Sequence, residues 1–268
     1  MNQPPEHSGN RLRGKVILVS GSTTGIGEGI ARLAALQGAR VMIHGRRKEA
    51  AQQVASSIGA AAHYVLGDLA DPEVPASIIE QTVAHFGRID GLVNNAALMI
   101  RGNLEATDAA LFDRAVAVDL RAPFLLIRSA LPHFRKQGGG RIVNIGSING
   151  YCGERTQFAY SICKGGLMTM TRNLADAHAE ENIHFNHLNV GWTLTPNEHV
   201  LKMTEGLPED WPSRVPPSIA PSGRIFSPID VAWAVVYFLS DEAALINGSV
   251  LDVEQYPVIG RNPLKHVS

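Results

Sequence analysis

What most constrains this chain is an alternation that runs along nearly all of its length: short β-branched and aliphatic runs, each followed by a longer stretch with helical spacing. Runs as apolar as the VILV at 16–19 suit strands covered on both faces. A repeated strand-then-helix pattern calls for parallel strands joined by crossover helices. The expected strands are 15–20, 40–44, 62–67, 91–94, 141–145, 183–189 and 249–252, and the expected helices are 25–37, 48–58, 71–86, 107–136, 158–181 and 228–240. Asp71, followed by Pro72, reads as the cap of the third helix. Together these describe an α/β fold, a doubly wound, Rossmann-type seven-stranded parallel sheet with helices on both faces.

The pattern supports one domain over 14–256, with an N-terminal extension at 1–13 and a C-terminal tail at 257–268. One segment, 192–227, breaks the alternation, and prolines crowd it at 196, 208, 212, 216, 217, 221 and, at its edge, 228. A long irregular stretch inside an ordered domain reads as a substrate lid.

A net charge of -1 with 18% charged residues gives no bulk pull towards nucleic acid. The first ten residues lack an apolar signal core, and no apolar run approaches the ~20 residues of a membrane span, so a cytoplasmic protein without membrane contact is expected. Cys152 and Cys163 are too few for a disulfide framework and read as free thiols. His184 and His187 stand three apart on an expected strand, so their side chains face opposite ways and no metal site is expected.

Three groups of residues carry chemistry. After the first strand, the turn Gly21-Ser22-Thr23-Thr24-Gly25-Ile26-Gly27 opens a helix, where free N–H groups and the helix dipole suit a pyrophosphate. The second strand runs into Arg46 and Arg47 with no acidic residue before Glu49, which favours the 2'-phosphate of NADP over the free ribose of NAD. Tyr160 and Lys164 lie four apart, on one helix face, where the lysine can act on the phenol and bring it towards proton exchange near neutral pH. Ser147 follows the fifth strand and can hold a substrate oxygen beside that phenol.

On these residues the chain resembles the short-chain dehydrogenase/reductases, from about Gly14 to Asp252. The family's Thr-Gly-x-x-x-Gly-x-Gly matches 20–27 with Ser20 for threonine, its Asn-Asn-Ala-Gly appears as Asn94-Asn95-Ala96-Ala97, and its serine, tyrosine and lysine match Ser147, Tyr160 and Lys164. The resemblance implies cofactor contacts from Asp68 and Leu69 on the adenine side, Asn95, Ala96 and Ala97 along the dinucleotide, Lys164 on the nicotinamide ribose, and Gly191, Thr193 and Thr195 near the carboxamide. Asp119 falls at the family's central-helix asparagine, and Val190 replaces the proline of its Pro-Gly turn. The implied activity is hydride transfer between NAD(P) and a small alcohol or carbonyl, in a homotetramer or homodimer built on the helices at 107–136 and 158–181.

Substrate contacts are expected from Asn149, Tyr151, Glu154 and Arg155, and from Trp192, Glu198, His199 and Trp211 in the lid. Two indoles among carboxylates suit a sugar or polyol. A competing reading is a dinucleotide-binding regulatory or scaffolding protein with impaired chemistry, motivated by Asp119 and Val190. An epimerase on a related fold would need a further substrate domain, and sixteen residues follow Asp252.

Overall fold

Strands buried on both faces pair with like neighbours at the centre of one parallel sheet, and the two runs at 62–66 and 250–253, partly exposed, form its edges. The computed structural model describes residues 9–258. Strands β1 (Val16–Val19), β2 (Arg40–Gly45), β3 (Ala62–Leu66), β4 (Gly91–Asn94), β5 (Gly140–Ser147), β6 (Ile183–Val190) and β7 (Val250–Val253) lie in the order β3-β2-β1-β4-β5-β6-β7. The fold is thus the α/β, Rossmann-type sheet the alternation implies.

Helices α1 (Gly25–Leu36), α2 (Lys48–Ile58) and α9 (Pro228–Leu239) cover one face, packing Ile30, Leu33, Val54, Val231 and Val235 on Ile17, Val19, Val41 and Ile43. Helices α3 (Val74–Phe86), α5 (Ala122–Gln137) and the end of α7 (Phe158–Ala177) cover the other, with Ile78, Leu126 and Phe134 on Leu18, Met42 and Leu92, and a short α6 (Asn149–Cys152) follows β5. Each such aliphatic burial contributes roughly 1.5–3 kcal/mol. The strand order reverses between β1 and β4, so the loops beyond their carboxyl ends diverge and leave a crevice there.

Four expectations need correction. The helix expected over 71–86 starts at Val74 instead: Pro72 has no N–H to give, and the Asp71 carboxylate accepts from the Glu73 N–H in a tight turn rather than capping the helix. The helix expected over 107–136 is capped by Asp108 and broken into α4 (Ala109–Val116), a π turn (Ala117–Arg121) and α5. Pro123 has no N–H for the carbonyl four residues back, that of Asp119, and the Ala122 N–H reaches Ala117 instead. The segment 192–227 is more ordered than its prolines imply: it holds α8 (Pro196–Thr204) and a 3-10 turn (Trp211–Arg214), and buries Trp211, Ala220 and Ile225 in a core of its own. Of the expected N-terminal extension, residues 9–13 pack on the domain, with Leu12 fully buried; the remainder, like most of the C-terminal tail, falls outside the described residues.

Candidate functional site

A cleft of about 760 Å³ opens at the carboxyl edge of the sheet, from the glycine turn after β1 to the segment after β6. Its first wall is the turn into α1. Gly21 has φ +63, and a Cβ there would stand 2.8 Å from the Ala96 backbone. At Gly27 a Cβ would meet the Gly21 carbonyl at 2.3 Å and the Asn95 amide at 2.4 Å. Thr24, at the N-cap, makes no side-chain cap, so the N–H groups of the first turn of α1 receive nothing from it.

The turn is held by residues from three strands. The Ser20 hydroxyl donates to the Val93 carbonyl and accepts from the Asn95 and Ala96 N–H groups, which is why a hydroxyl at this position suffices. The Asn95 amide donates back to the Ser20 and Gly21 carbonyls at 2.9 and 3.0 Å. The Gly21 N–H donates to Nδ1 of His44, whose other nitrogen, carrying the proton, donates to the Gly67 carbonyl at 3.2 Å. Burial holds His44 neutral, its pKa lowered from 6.5 to about 4. Ser22, expected on the cofactor, is buried and turned inward: its hydroxyl donates to the Val19 carbonyl and accepts from the His44 N–H, and its own N–H goes to the His44 carbonyl.

At the end of β2, Arg46 lines the cleft, as does Thr23 of the glycine turn, while Arg47 stands at the N-cap position of α2 and does not line it. Asp68 lines it too. The Ala70 N–H and the Arg114 guanidinium at 2.7 Å hold its carboxyl below the usual range. Arg114 comes from α4, remote in sequence, and nothing local marks it.

At the floor, Ser147 ends β5, and Tyr160 and Lys164 project from α7, all three largely buried. The Lys164 ammonium donates to the Ile145 carbonyl at 3.0 Å and lies 5.3 Å from the centre of the Tyr160 ring. Its proximity does not bring the phenol down, contrary to the expectation. Burial pushes the Tyr160 phenol up, the charges of Asp119 and Glu198 push it further, and a hydrogen bond from Ser147 opposes them. Burial also lowers Lys164, with Asp119 and Cys163 opposing. Asp119 itself stays behind the cleft lining, in the π turn.

The far wall mixes polar and apolar groups. Asn149, Glu154, Trp192, Glu198, Gly191, Thr193 and Thr195 line it. Tyr151 and Arg155 do not, and Tyr151 faces Asp252 and Asn189. Trp211 is buried against Trp192, with ring centres 5.1 Å apart and planes 11° from parallel, and the His199 ring also stacks on Trp211, 6.1 Å between centres. The indoles therefore stack on each other, which removes the expected pair of platforms for a sugar ring. The Trp192 N–H donates to Glu198 at 2.8 Å. Gln157, Arg101 and Lys202 also line the cleft, and Glu205 pairs with both Arg101 and Lys202, tying the loop after β4 to the end of α8. Long side chains that meet only in the folded state give no local signal. Among the described residues no three His, Cys, Asp or Glu side chains gather as a metal site, and no helix is long and apolar enough to cross a membrane.

Residues 21–255 match a family model described as enoyl-(acyl carrier protein) reductase. A cis-4-hydroxycyclohexanecarboxylate dehydrogenase from Sinomonas cyclohexanicum is 33% identical over 92% of this chain and 97% of its own. A 3-oxoacyl-[acyl-carrier-protein] reductase from Aquifex aeolicus is 36% identical over 91% and 97%. The crystal structure of a 3-ketoacyl-(acyl-carrier-protein) reductase from Brucella melitensis complexed with NADH superposes with a TM-score of 0.81, at 33% identity, over 90% of this chain and 97% of that one. Given a family match over most of its length and relatives of this identity, the chain belongs to the short-chain dehydrogenase/reductase family of oxidoreductases.

Proposed function

We propose that this protein is an NADP(H)-preferring alcohol dehydrogenase or ketone reductase, in which Tyr160 exchanges a proton with the oxygen of a small alcohol or carbonyl substrate. The observation that carries the reading is the convergence of Ser147, Tyr160 and Lys164 on the floor of the cleft that the glycine turn opens. The cradle fits a dinucleotide: its walls approach so closely that only glycine is accommodated at 27, and α1 begins there without a side-chain cap. When bound, the nicotinamide supplies or removes the hydride at the substrate carbon.

Each residue then has a task. The first turn of α1 would hold the pyrophosphate, and Arg46, lining the cleft with Thr23, would favour a 2'-phosphate. Lys164 would hold the nicotinamide ribose. Ser147 holds the substrate oxygen, and Tyr160 gives its phenolic proton to that oxygen in reduction or receives one in oxidation. Trp192 and the segment 192–227 cover the reacting atoms and exclude water. Asn149, Glu154, Gln157 and Glu198 give the substrate end a polar wall, which suits a substrate with further hydroxyl or polar groups, the polyol class included.

The test is a panel of cyclic alcohols, hydroxysteroids, 3-oxoacyl thioesters and sugar alcohols, run with NADPH and NADH in parallel. Tyr160→Phe should lower turnover by roughly 10²–10⁴ while leaving NADPH binding, followed by its fluorescence, nearly unchanged. Cofactor binding without turnover of any panel member by the unmodified protein would favour the scaffolding reading instead.

A further inference from the structure

Two cations stand at the reacting end of the cleft, and they come from different parts of the chain. Arg101 belongs to the loop after β4 and Lys202 to α8, and both line the cleft. Arg101 is set there by its neighbour: the Gly102 N–H donates to the Thr156 carbonyl at 2.7 Å, and the Gly102 carbonyl accepts from the Phe158 N–H at 3.0 Å. These bonds fix the loop to the segment that leads into Tyr160. Lys202 is set by Trp192, its ammonium 5.7 Å from the centre of the indole. Arg114, by contrast, is engaged at the other end of the cleft with Asp68.

One carboxylate serves both cations. Glu205 Oε1 lies 3.2 Å from the Arg101 Nε, an ion-pair contact rather than an aligned hydrogen bond, and its Oε2 accepts from the Lys202 ammonium at 2.7 Å. Among the described residues neither cation has another ion-pair partner. Two further carboxylates line this end, and each has donors of its own: Glu198 takes the Trp192 N–H at 2.8 Å, and Glu154 takes the N–H and the hydroxyl of Thr156 at 3.1 and 2.8 Å. Glu205 itself is exposed and does not line the cleft. Two cations in the lining thus share one carboxylate held outside it. A surface ion pair is worth little, so a second carboxylate arriving through the cleft replaces Glu205 at small cost. A guanidinium also offers parallel N–H groups that match the two oxygens of a carboxylate.

We propose that Arg101 and Lys202 are specificity-determining residues that select substrates bearing a carboxylate apart from the reacting carbonyl or alcohol, and that Glu205 is the internal carboxylate such a substrate displaces. The inference rests on the reading of the protein as a dehydrogenase or reductase and adds the class of molecule it takes. By bridging Arg101 on the loop after β4 and Lys202 on α8, the substrate's carboxylate also holds the segment 192–227 over the reacting atoms, so its charge counts in turnover as well as in binding.

The experiment pairs keto acids with their own amides: 4-oxopentanoate, 6-oxoheptanoate and 8-oxononanoate against 4-oxopentanamide, 6-oxoheptanamide and 8-oxononanamide, on the full chain with NADPH. At the chain length that fits, kcat/KM for the acid should exceed that for the amide by roughly 10–100-fold, the worth of hydrogen bonds between charged groups. Arg101→Gln and Lys202→Gln should each lower that ratio about tenfold, whereas Glu205→Gln, which removes the competing carboxylate, should raise it. A strap that only fastens the lid would instead affect acid and amide alike in all three variants. The same ratio is read in binding to the complex with NADP, by tryptophan fluorescence, since Lys202 lies over Trp192. A ratio near one at every length, one that survives in both cation variants, or one that fails to rise in Glu205→Gln overturns the proposal. Acids that bind more tightly than their amides and lose that margin in Arg101→Gln, with no turnover of any ketone, would sink the enzyme reading and leave the carboxylate site standing.

Discussion

His44 ties the cofactor turn to the pH at which the protein stays folded. In the native state its imidazole accepts from Gly21 and donates to Gly67, an arrangement open only to the neutral ring, and burial lowers its pKa from 6.5 to about 4. Between those values the unfolded chain binds a proton that the native state refuses, so the stability owed to His44 is complete above pH 6.5 and is lost as pH falls towards 4. A shift of about 2.5 units amounts to roughly 3 kcal/mol, with a slope of about 1.4 kcal/mol per pH unit inside the window. His187, buried on β6 beside Asn189, is lowered to about 4 as well and adds a second proton of the same sign. Asp119, raised to about 6, acts oppositely: between 3.8 and 6 the native state holds the extra proton, which cancels one histidine. His63 and His184, both lowered by burial, add to the slope in the same sense, so the His44 share is read as a difference: His44→Asn should reduce the slope between about pH 4.5 and 6 by about 1.4 kcal/mol per unit. Urea unfolding followed by far-UV circular dichroism at half-unit intervals reads this directly. A variant that is uniformly weaker, by the ~1–3 kcal/mol of lost hydrogen bonds, but keeps the original slope would refute the assignment of the proton to His44.

Two other substitutions probe the cradle. Gly27→Ala drives a methyl group into the Gly21 carbonyl and the Asn95 amide, so it should cost about 1–3 kcal/mol in urea stability and weaken NADPH binding at least tenfold; unaltered affinity would mean the turn does not carry the dinucleotide. Arg46→Asp should weaken NADPH by roughly 10–100-fold, the worth of a charge-assisted hydrogen bond, while NADH is spared; an unchanged ratio of the two affinities moves the 2'-phosphate contact elsewhere.

The sheet was legible because parallel strands covered on both faces must be continuously apolar, and at β1 and β4 nothing else in the chain competes for that reading. Ser147, Tyr160 and Lys164 were legible because each stands at a spacing fixed by its own element. What stayed hidden lies between elements. Arg114 reaches Asp68 across 46 positions, Glu205 draws together Arg101 and Lys202, and Trp211 is taken out of the cleft by Trp192, all decided by folded proximity that no local spacing encodes. Ser22 was misread for a related reason: a residue in a tight turn has two sides, and the sequence does not say which faces the ligand.

The π turn is the case where a signal existed and its meaning lay one step further. Pro123 stands four residues after Asp119 and cannot supply the α-helical bond to its carbonyl, and the helix between Asp108 and Gly138 widens at that place, whereas Pro132 sits inside α5 without a π turn. The widening falls opposite the helix that carries Tyr160 and Lys164, so the one acidic residue in the turn is enclosed beside them instead of facing solvent. A proline is therefore compatible with the widening without fixing it, and what the turn encloses is the acidic side chain at 119.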